Sequence, residues 1–254
     1  MAPTNSFPAV LHPDLLAKYP NLESGMSTRN GGNSKGVFEN FNLGLAVGDD
    51  AEIVNENRTL FCSWFGFTLN DLAKSHQVHG NEVLVVEAPD SYEGYDALIT
   101  NRKGILLAVT VADCVPILLY DKARRVIAAV HAGWKGSAFK IVTKTIERMT
   151  NEYGTKTRDI VCFVGSCIGK DSFEVHNDVA QYFDDTCKKS LPEEGKYLVD
   201  LQKANIDQLL ILGVKEKYIE ISKYDTYQCT NMYFSHRKEN GNTGRMMAAI
   251  GLKR

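Results

Sequence analysis

A central series of short apolar runs, each cut off by polar residues, constrains this chain more than any other feature. Ile105–Val111, Val115–Tyr120, Val126–Val130 and Ile160–Val164 are dominated by Val, Ile, Leu and Ala. Their length and β-branched content specify buried strands rather than helices. Glu82–Glu87 and Tyr218–Ile221 read as further strands. Helical periodicity flanks the series. Asp49 and Asp50 precede a pattern of Ile53, Val54, Leu60, Phe61, Trp64 and Phe65, predicting an amphipathic helix that ends near Gly66. Ser137 is positioned to cap a helix presenting Ile141, Val142, Thr145, Ile146 and Met149, with Gly154 as its stop. Helices are also expected over Asp178–Cys187 and Leu201–Leu212. Because strands outnumber helices and cluster in the middle, the pattern predicts an α+β fold with a mixed sheet rather than a doubly wound parallel one.

The 254 residues, 44% of them apolar, suffice for one sizeable core. No repeat, low-complexity tract or linker interrupts them, so a single domain over 1–254 is expected. Lys plus Arg number 29 against 31 Asp plus Glu, a net charge of −2. That balance excludes a protein held mainly by nucleic-acid phosphates, yet leaves room for one small anion on one or two arginines. The longest apolar run, Ile105 to Ala112, is far short of the roughly 20 residues a spanning helix needs, so no membrane partner is expected. Met1–Pro8 lacks a basic segment followed by an apolar one, the mark of a secretory signal. Six cysteines in such a chain are expected to stay reduced, which points to a cytoplasmic protein. A monomer or small homo-oligomer is expected.

Three polar residues fall at the edges of the apolar runs. His79 lies in Ser75-His-Gln-Val-His-Gly80, Cys114 in Val111-Ala-Asp-Cys-Val-Pro116, and His131 in Ala129-Val-His-Ala-Gly-Trp-Lys-Gly136. An Asp-Cys pair wedged between two apolar strands is costly unless its carboxylate and thiol are satisfied. Two imidazoles and a thiolate would make a three-ligand metal set with a fourth position open, the pattern of catalytic zinc. No local CxxC or HxxxH clip enforces that grouping, and a Cys114–His131 nucleophile pair is equally compatible with the spacing. His76 and His79 stand three apart on a segment read as extended, which predicts that they point to opposite faces; His79 is preferred. Asp113, next to Cys114, is a candidate proton carrier or orienting residue, or a cap of local amides.

Two further clusters carry weaker signals. Ser27-Thr-Arg-Asn-Gly-Gly-Asn33, Asn40-Phe-Asn-Leu-Gly44 and Gly48-Asp-Asp50 combine glycine-rich backbone with Arg29, a combination able to cradle phosphate or simply to form a polar turn. Neither GxxxxGK[ST] nor GxGxxG occurs, which removes support for nucleotide-binding folds of those types. In Cys229–Arg245, Tyr233 and Phe234 are candidates to stack on a base and Arg237 or Arg245 to hold an anion. The alternative is a hairpin turning at Glu239-Asn-Gly-Asn242.

Taken together, Ser27-Thr-Arg-Asn-Gly-Gly, Phe41-Asn-Leu-Gly, Gly48-Asp-Asp, Gln77-Val-His-Gly, Ala112-Asp-Cys-Val-Pro, Val130-His-Ala-Gly-Trp-Lys-Gly, Phe173-Glu-Val and Ser235-His-Arg…Thr243-Gly-Arg resemble one family in order. It is the laccase-domain, multicopper-polyphenol-oxidase-like family associated with purine nucleoside phosphorylase activity, and the resemblance runs from about residue 25 to the C-terminus. It implies zinc on His79, Cys114 and His131, within one domain of mixed sheets forming a central sandwich flanked by helices. It also implies phosphorolysis of adenosine, inosine, guanosine and methylthioadenosine, with adenosine deamination beside it. Purine nucleosides and phosphate are then the partners, with Asp113 joining the catalytic set and Arg29, Asn42, Gln77 and Arg237 as substrate-binding candidates. The chain departs from the family pattern at Gly165-Ser-Cys-Ile-Gly169, at Ser172-Phe-Glu-Val, and at His236-Arg-Lys238 in place of Tyr-Arg-Arg. Copper-dependent polyphenol oxidation is the rival enzyme reading, although six histidines are few for a multicopper site. A peptidoglycan-precursor editing factor and a metal-free Cys–His hydrolase are the readings from other classes.

Overall fold

The computed structural model of the protein describes residues 8–254, so all but the last residue of Met1–Pro8, on which the expected lack of a secretory signal rests, lies outside the described residues. Two six-stranded mixed sheets form the centre. The first runs β1 (Val10–Leu11), β2 (Leu22–Ser27), β15 (Met246–Leu252), β7 (Leu106–Val111), β3 (Leu72–His76), β5 (Ser91–Glu93). The second runs β14 (Ile219–Ile221), β10 (Ile160–Val164), β8 (Val115–Asp121), β9 (Val126–Ala132), β6 (Ala97–Thr100), β4 (Val83–Val85). A small antiparallel sheet of β11 (Glu174–His176), β13 (Lys196–Val199) and β12 (Lys188–Ser190) lies apart from them.

Alternation along the strands assigns each face. On β8, Leu118 and Tyr120 join Leu107, Val109, Ala248 and Ile250 of the first sheet in a core between the sheets. The intervening Val115, Ile117 and Leu119 pack instead with Ile141, Ile146 and Met149 of α3 (Ile141–Tyr153) and Leu209 of α5 (Leu201–Ile211). On the far side of the first sheet, Ala108, Met247 and Ala249 meet Phe61 and Cys62 of α1 (Ala51–Ser63). Helix, sheet, sheet, helix is thus the layer order, the flanked sandwich of an α+β chain. A strand such as β8 is buried at every position because one face meets a sheet and the other meets helices.

Helix α1 starts where expected: the Asp50 side chain accepts from the amides of Glu52 and Ile53. Helix α3 stops at Gly154, whose φ of 66° suits a left-handed cap. Ser137, expected to cap that helix, instead lies inside the short α2 (Trp134–Ala138). Lys140 precedes α3 with a φ of 59° and no side-chain cap, because the chain turns there between two helices packed on one sheet face. The helix expected over Asp178–Cys187 shrinks to α4 (Asn177–Ala180). Asp184 caps a separate 3-10 turn, and Lys188 begins a strand that pairs with β13. No helix among the described residues is long and apolar enough to cross a membrane.

Candidate metal centre

The site lies where the chain passes between the two sheets. β3 ends at His76, and the next residues curl: the Val78, His79 and Gly80 amides donate to the carboxylate of Asp96 at 3.3, 3.0 and 2.7 Å. His79 adopts a φ of 57°, so the segment is not extended as expected, but the preference for His79 holds: it joins Cys114 and His131, and the exposed His76 does not. Both His76 and His79 line the same cavity. Cys114 sits in the crossover from β7 of the first sheet to β8 of the second. Asp113 takes the strained position there, at a φ of 78°. His131 is carried by β9, opposite Pro116 on β8.

These three side chains converge. One donor atom from each of His79, Cys114 and His131 lies within 4.8 Å of the others, and no fourth His, Cys, Asp or Glu among the described residues joins them. His131 is 2% exposed, Cys114 is partly buried and His79 is exposed, so the cluster opens towards solvent on the His79 side. Asp96, fully buried, fixes the deepest of the three. Its Oδ1 lies 2.7 Å from His131 Nδ1, and its carbonyl accepts the His131 amide at 2.7 Å. With a carboxylate as acceptor, Nδ1 carries the proton and Nε2 is left to face the cluster.

The electrostatics match that geometry. Burial pushes the Cys114 thiol up, but the neighbouring imidazoles of His131 and His79 outweigh it and bring the thiol below its ordinary range. Burial pushes His131 down, but Cys114 and Asp96 outweigh it and raise the imidazole. The site therefore favours a thiolate beside an imidazolium, and a divalent cation would supply the same positive charge while displacing the proton. Burial raises the Asp96 carboxyl, yet its hydrogen bond and charge contact with His131 and the amides hold it below the usual range. Two borderline nitrogens and a soft thiolate, oriented by a buried carboxylate, can hold a metal ion.

Gly133 closes the back of the cluster. A Cβ there would stand 3.0 Å from His79 Cδ2, 3.3 Å from Cys114 Sγ and 3.7 Å from His131 Cε1. Its φ of −67° is open to any residue, so Gly133→Ala acts through space alone. Displacing the donors by a few tenths of an ångström is expected to weaken metal binding roughly tenfold. The melting temperature of the metal-free protein should hardly move. Chelator competition beside a thermal melt checks both.

The remaining candidates separate into two groups. Gln77 lines the cavity, but its amide is bonded both ways to the backbone of Thr110 at 2.8 Å, extending the β3–β7 pairing by one side chain. Arg237 lines it too, with its amide on Asp113 at 2.6 Å and its guanidinium 5.2 Å over the Phe173 ring. Asp113, also on the cavity wall, accepts from Thr226 Oγ1 (2.6 Å), Ser235 Oγ (3.1 Å) and Arg237 N. Arg29 and Asn42 do not line the cavity. Arg29 donates to the Thr230 carbonyl, pairs with Glu239 at 3.3 Å and lies 4.4 Å over Phe234. Asn42 is fully buried, holding Gly44, Asp49 and the Arg245 amide. The glycine-rich stretch around Arg29 is likewise tied down, by Asn57 of α1, which bonds Asn33, Ser34 and Asn42.

The expected hairpin around Glu239–Asn242 does not form. The Glu239 carboxylate instead gathers the Ser235 amide, the Thr243 hydroxyl and Arg29, shaping a loop. Tyr233 and Phe234 are fully buried in the core between the sheets and are not available to stack on a base. Sequence reasoning passed over Asp96, Arg58 and Lys74. Arg58 carried a signal: on a helical wheel it shares the stripe of Val54, Phe61 and Cys62, where a charged side chain must be buried.

The cluster opens into a cavity of about 660 Å³. Trp134, Ile168, Phe173 and Leu201 line it from the second-sheet side, and Arg58, Lys74 and Arg245 from the first-sheet side.

Comparison with known proteins places the chain. A purine nucleoside phosphorylase of Bacteroides thetaiotaomicron is 35% identical over 251 residues, covering 92% of this chain and 93% of that protein. Adenosine deaminase RL5, from an unknown prokaryotic organism, is 31% identical over 254 residues, covering 93% and 96%. The crystal structure of the hypothetical protein YfiH of Bacillus licheniformis superposes with a TM-score of 0.92 at 30% identity, covering 97% of both chains. The sequence profile described as multi-copper polyphenol oxidoreductase laccase matches residues 23–253, and the chain belongs to that family.

Proposed function

We propose that this protein is a zinc-dependent purine nucleoside phosphorylase acting on adenosine, inosine, guanosine and methylthioadenosine, with adenosine deamination as a side activity. The observation that carries the reading is the three-donor cluster of His79, Cys114 and His131 opening into a nucleoside-sized cavity. The names of the relatives from Bacteroides thetaiotaomicron and of RL5 support the two activities. Zinc held by His79, Cys114 and His131 would supply a Lewis acid for an oxygen nucleophile.

The chain's own residues account for the rest. Asp96 fixes the His131 tautomer and, through three amides, the turn that presents His79. The apolar wall of Trp134, Ile168, Phe173 and Leu201 suits the flat, largely uncharged purine. Phosphorolysis breaks the bond from C1′ to the base as a phosphate oxygen bonds C1′, and a proton goes to the leaving purine. Deamination adds water at C6 and releases ammonia. Neither needs a basic surface, which agrees with the net charge of −2. Of the roles expected for Asp113, its three hydrogen bonds support positioning: they tie the Cys114 crossover to the Thr226 and Ser235–Arg237 loops. All six cysteines are unpaired, which suits a single-domain enzyme of the reducing cytoplasm.

Zinc-loaded protein given adenosine and phosphate is expected to yield adenine with ribose 1-phosphate, and a smaller amount of inosine, by chromatography. Product formation no faster than in the absence of enzyme would overturn the reading.

A further inference from the structure

One end of the cavity holds more positive charge than the protein neutralises. Arg58 is 4% exposed, and its Nε donates to the Leu43 carbonyl at 2.8 Å. Among the described residues its two terminal nitrogens have no hydrogen-bond acceptor, and no carboxylate pairs with it. Burial alone brings this guanidinium down to about 10, with only the Cys62 thiol acting against the shift. Lys74, partly buried on β3, likewise has no hydrogen-bond or ion-pair partner among the described residues. Burial and the charge of Arg58 lower its ammonium, and Glu93 and Asp90, around neighbouring β5, only partly offset them.

Arg245 completes the group. Its Nη1 donates to the carbonyls of Thr243 and Gly244 at 2.8 and 2.9 Å, and burial lowers it, with Cys114 and Asp113 as the opposing acidic groups. Arg58 and Arg245 flank one stretch of backbone. Leu43 gives its carbonyl to Arg58 and its amide to the Arg245 carbonyl at 2.9 Å. Gly44 allows the close approach, since a Cβ there would meet Arg245 Cγ at 2.7 Å. Three cations facing one cavity, Arg58 buried and Lys74 and Arg245 partly so, destabilise one another unless a multiply charged anion joins them.

We propose that Arg58, Lys74 and Arg245 form an oxyanion subsite that takes a phosphate group in the same cavity as His79, Cys114 and His131. The forked guanidiniums suit the tetrahedral oxygens, and the ammonium adds charge without directional demand. The subsite stands on the charges alone; that its occupant is inorganic phosphate, the attacking co-substrate, rests on the phosphorylase reading. A base on the apolar wall and phosphate on the cationic wall would then meet the metal cluster from opposite sides.

Isothermal titration of the zinc-loaded full chain, with inorganic phosphate in one arm and adenosine 5′-monophosphate in the other, tests this. Arg58→Gln and Lys74→Gln are compared with wild type after metal content and melting temperature are checked. The more accessible Lys74→Gln serves if loss of Arg58 unfolds the chain. Phosphate is expected to bind wild type, and each variant to bind it at least about tenfold more weakly, as for loss of one charge-assisted contact. Binding of the monophosphate alone, weakened in the same variants, would support the subsite as a place for a phosphate ester while overturning the phosphorylase reading. Folded variants that bind both ligands like wild type, or a wild type that binds neither, would overturn the subsite. So would active variants with an unchanged KM for phosphate, an outcome that leaves the phosphorylase reading intact.

Discussion

Cys114→Ala is expected to lower nucleoside phosphorolysis by roughly 10³-fold or more, well beyond the 10–100-fold typical for an outer partner of a metal site. The thiol is the one soft donor of the three, and it sits where the chain crosses between sheets. Its loss removes both the thiolate and the negative charge that raises His131. The fold should survive, because Asp113 keeps its bonds to Thr226, Ser235 and Arg237 whatever stands at 114. Steady-state rates with inosine, beside the circular dichroism of the same sample, separate lost chemistry from lost structure. Activity within tenfold of wild type would remove Cys114 from the site.

Asp96→Asn is expected to act on metal affinity and on stability together. An amide in place of the carboxylate cannot accept from the Val78, His79 and Gly80 amides and from His131 Nδ1 at once. Metal affinity should fall roughly 10–100-fold as the His131 tautomer loosens. The metal-free protein should lose about 2–4 kcal/mol, the range for breaking a buried charge-assisted network. The pH dependence follows from the sign of the shift. The folded carboxyl titrates below its ordinary 3.8, so its stabilisation is present above that value and lost as pH falls through the lower folded one. Acid unfolding of metal-free wild type should therefore be steeper below about pH 4 than that of Asp96→Asn, by urea titration at several pH values. Equal steepness would show that Asp96 does not carry this linkage.

How far the sequence could be read follows from which signals are local. Strands β7, β8, β9 and β10 were legible from their short apolar runs, helix α1 from its period and Asp50 cap, and helix α3 from its period and Gly154 stop, although its expected Ser137 cap belongs to α2. So were His79, Cys114 and His131, polar residues at the ends of apolar runs. The central strand β15 was not, because Met246-Met-Ala-Ala-Ile-Gly-Leu252 has few β-branched residues and owes its strand state to pairing with β2 and β7. Asp96 was hidden for the same reason. It reads as a turn acid before a short run, and its partners stand 16 to 35 residues away. Arg29 drew attention through its glycine neighbours, whereas Arg58 and Lys74 sit in regular elements where a charge ordinarily faces solvent. The choice of His79 over His76 held, but its extended-segment premise did not, because the strand stops at His76 and the next amides turn onto the distant Asp96.

The most direct test of the account is the metal content of natively purified protein, by inductively coupled plasma mass spectrometry, for wild type and Cys114→Ala. One zinc per chain in wild type, largely lost in the variant, is the predicted result. Stoichiometric copper in wild type, or zinc retained in full by Cys114→Ala, would contradict it.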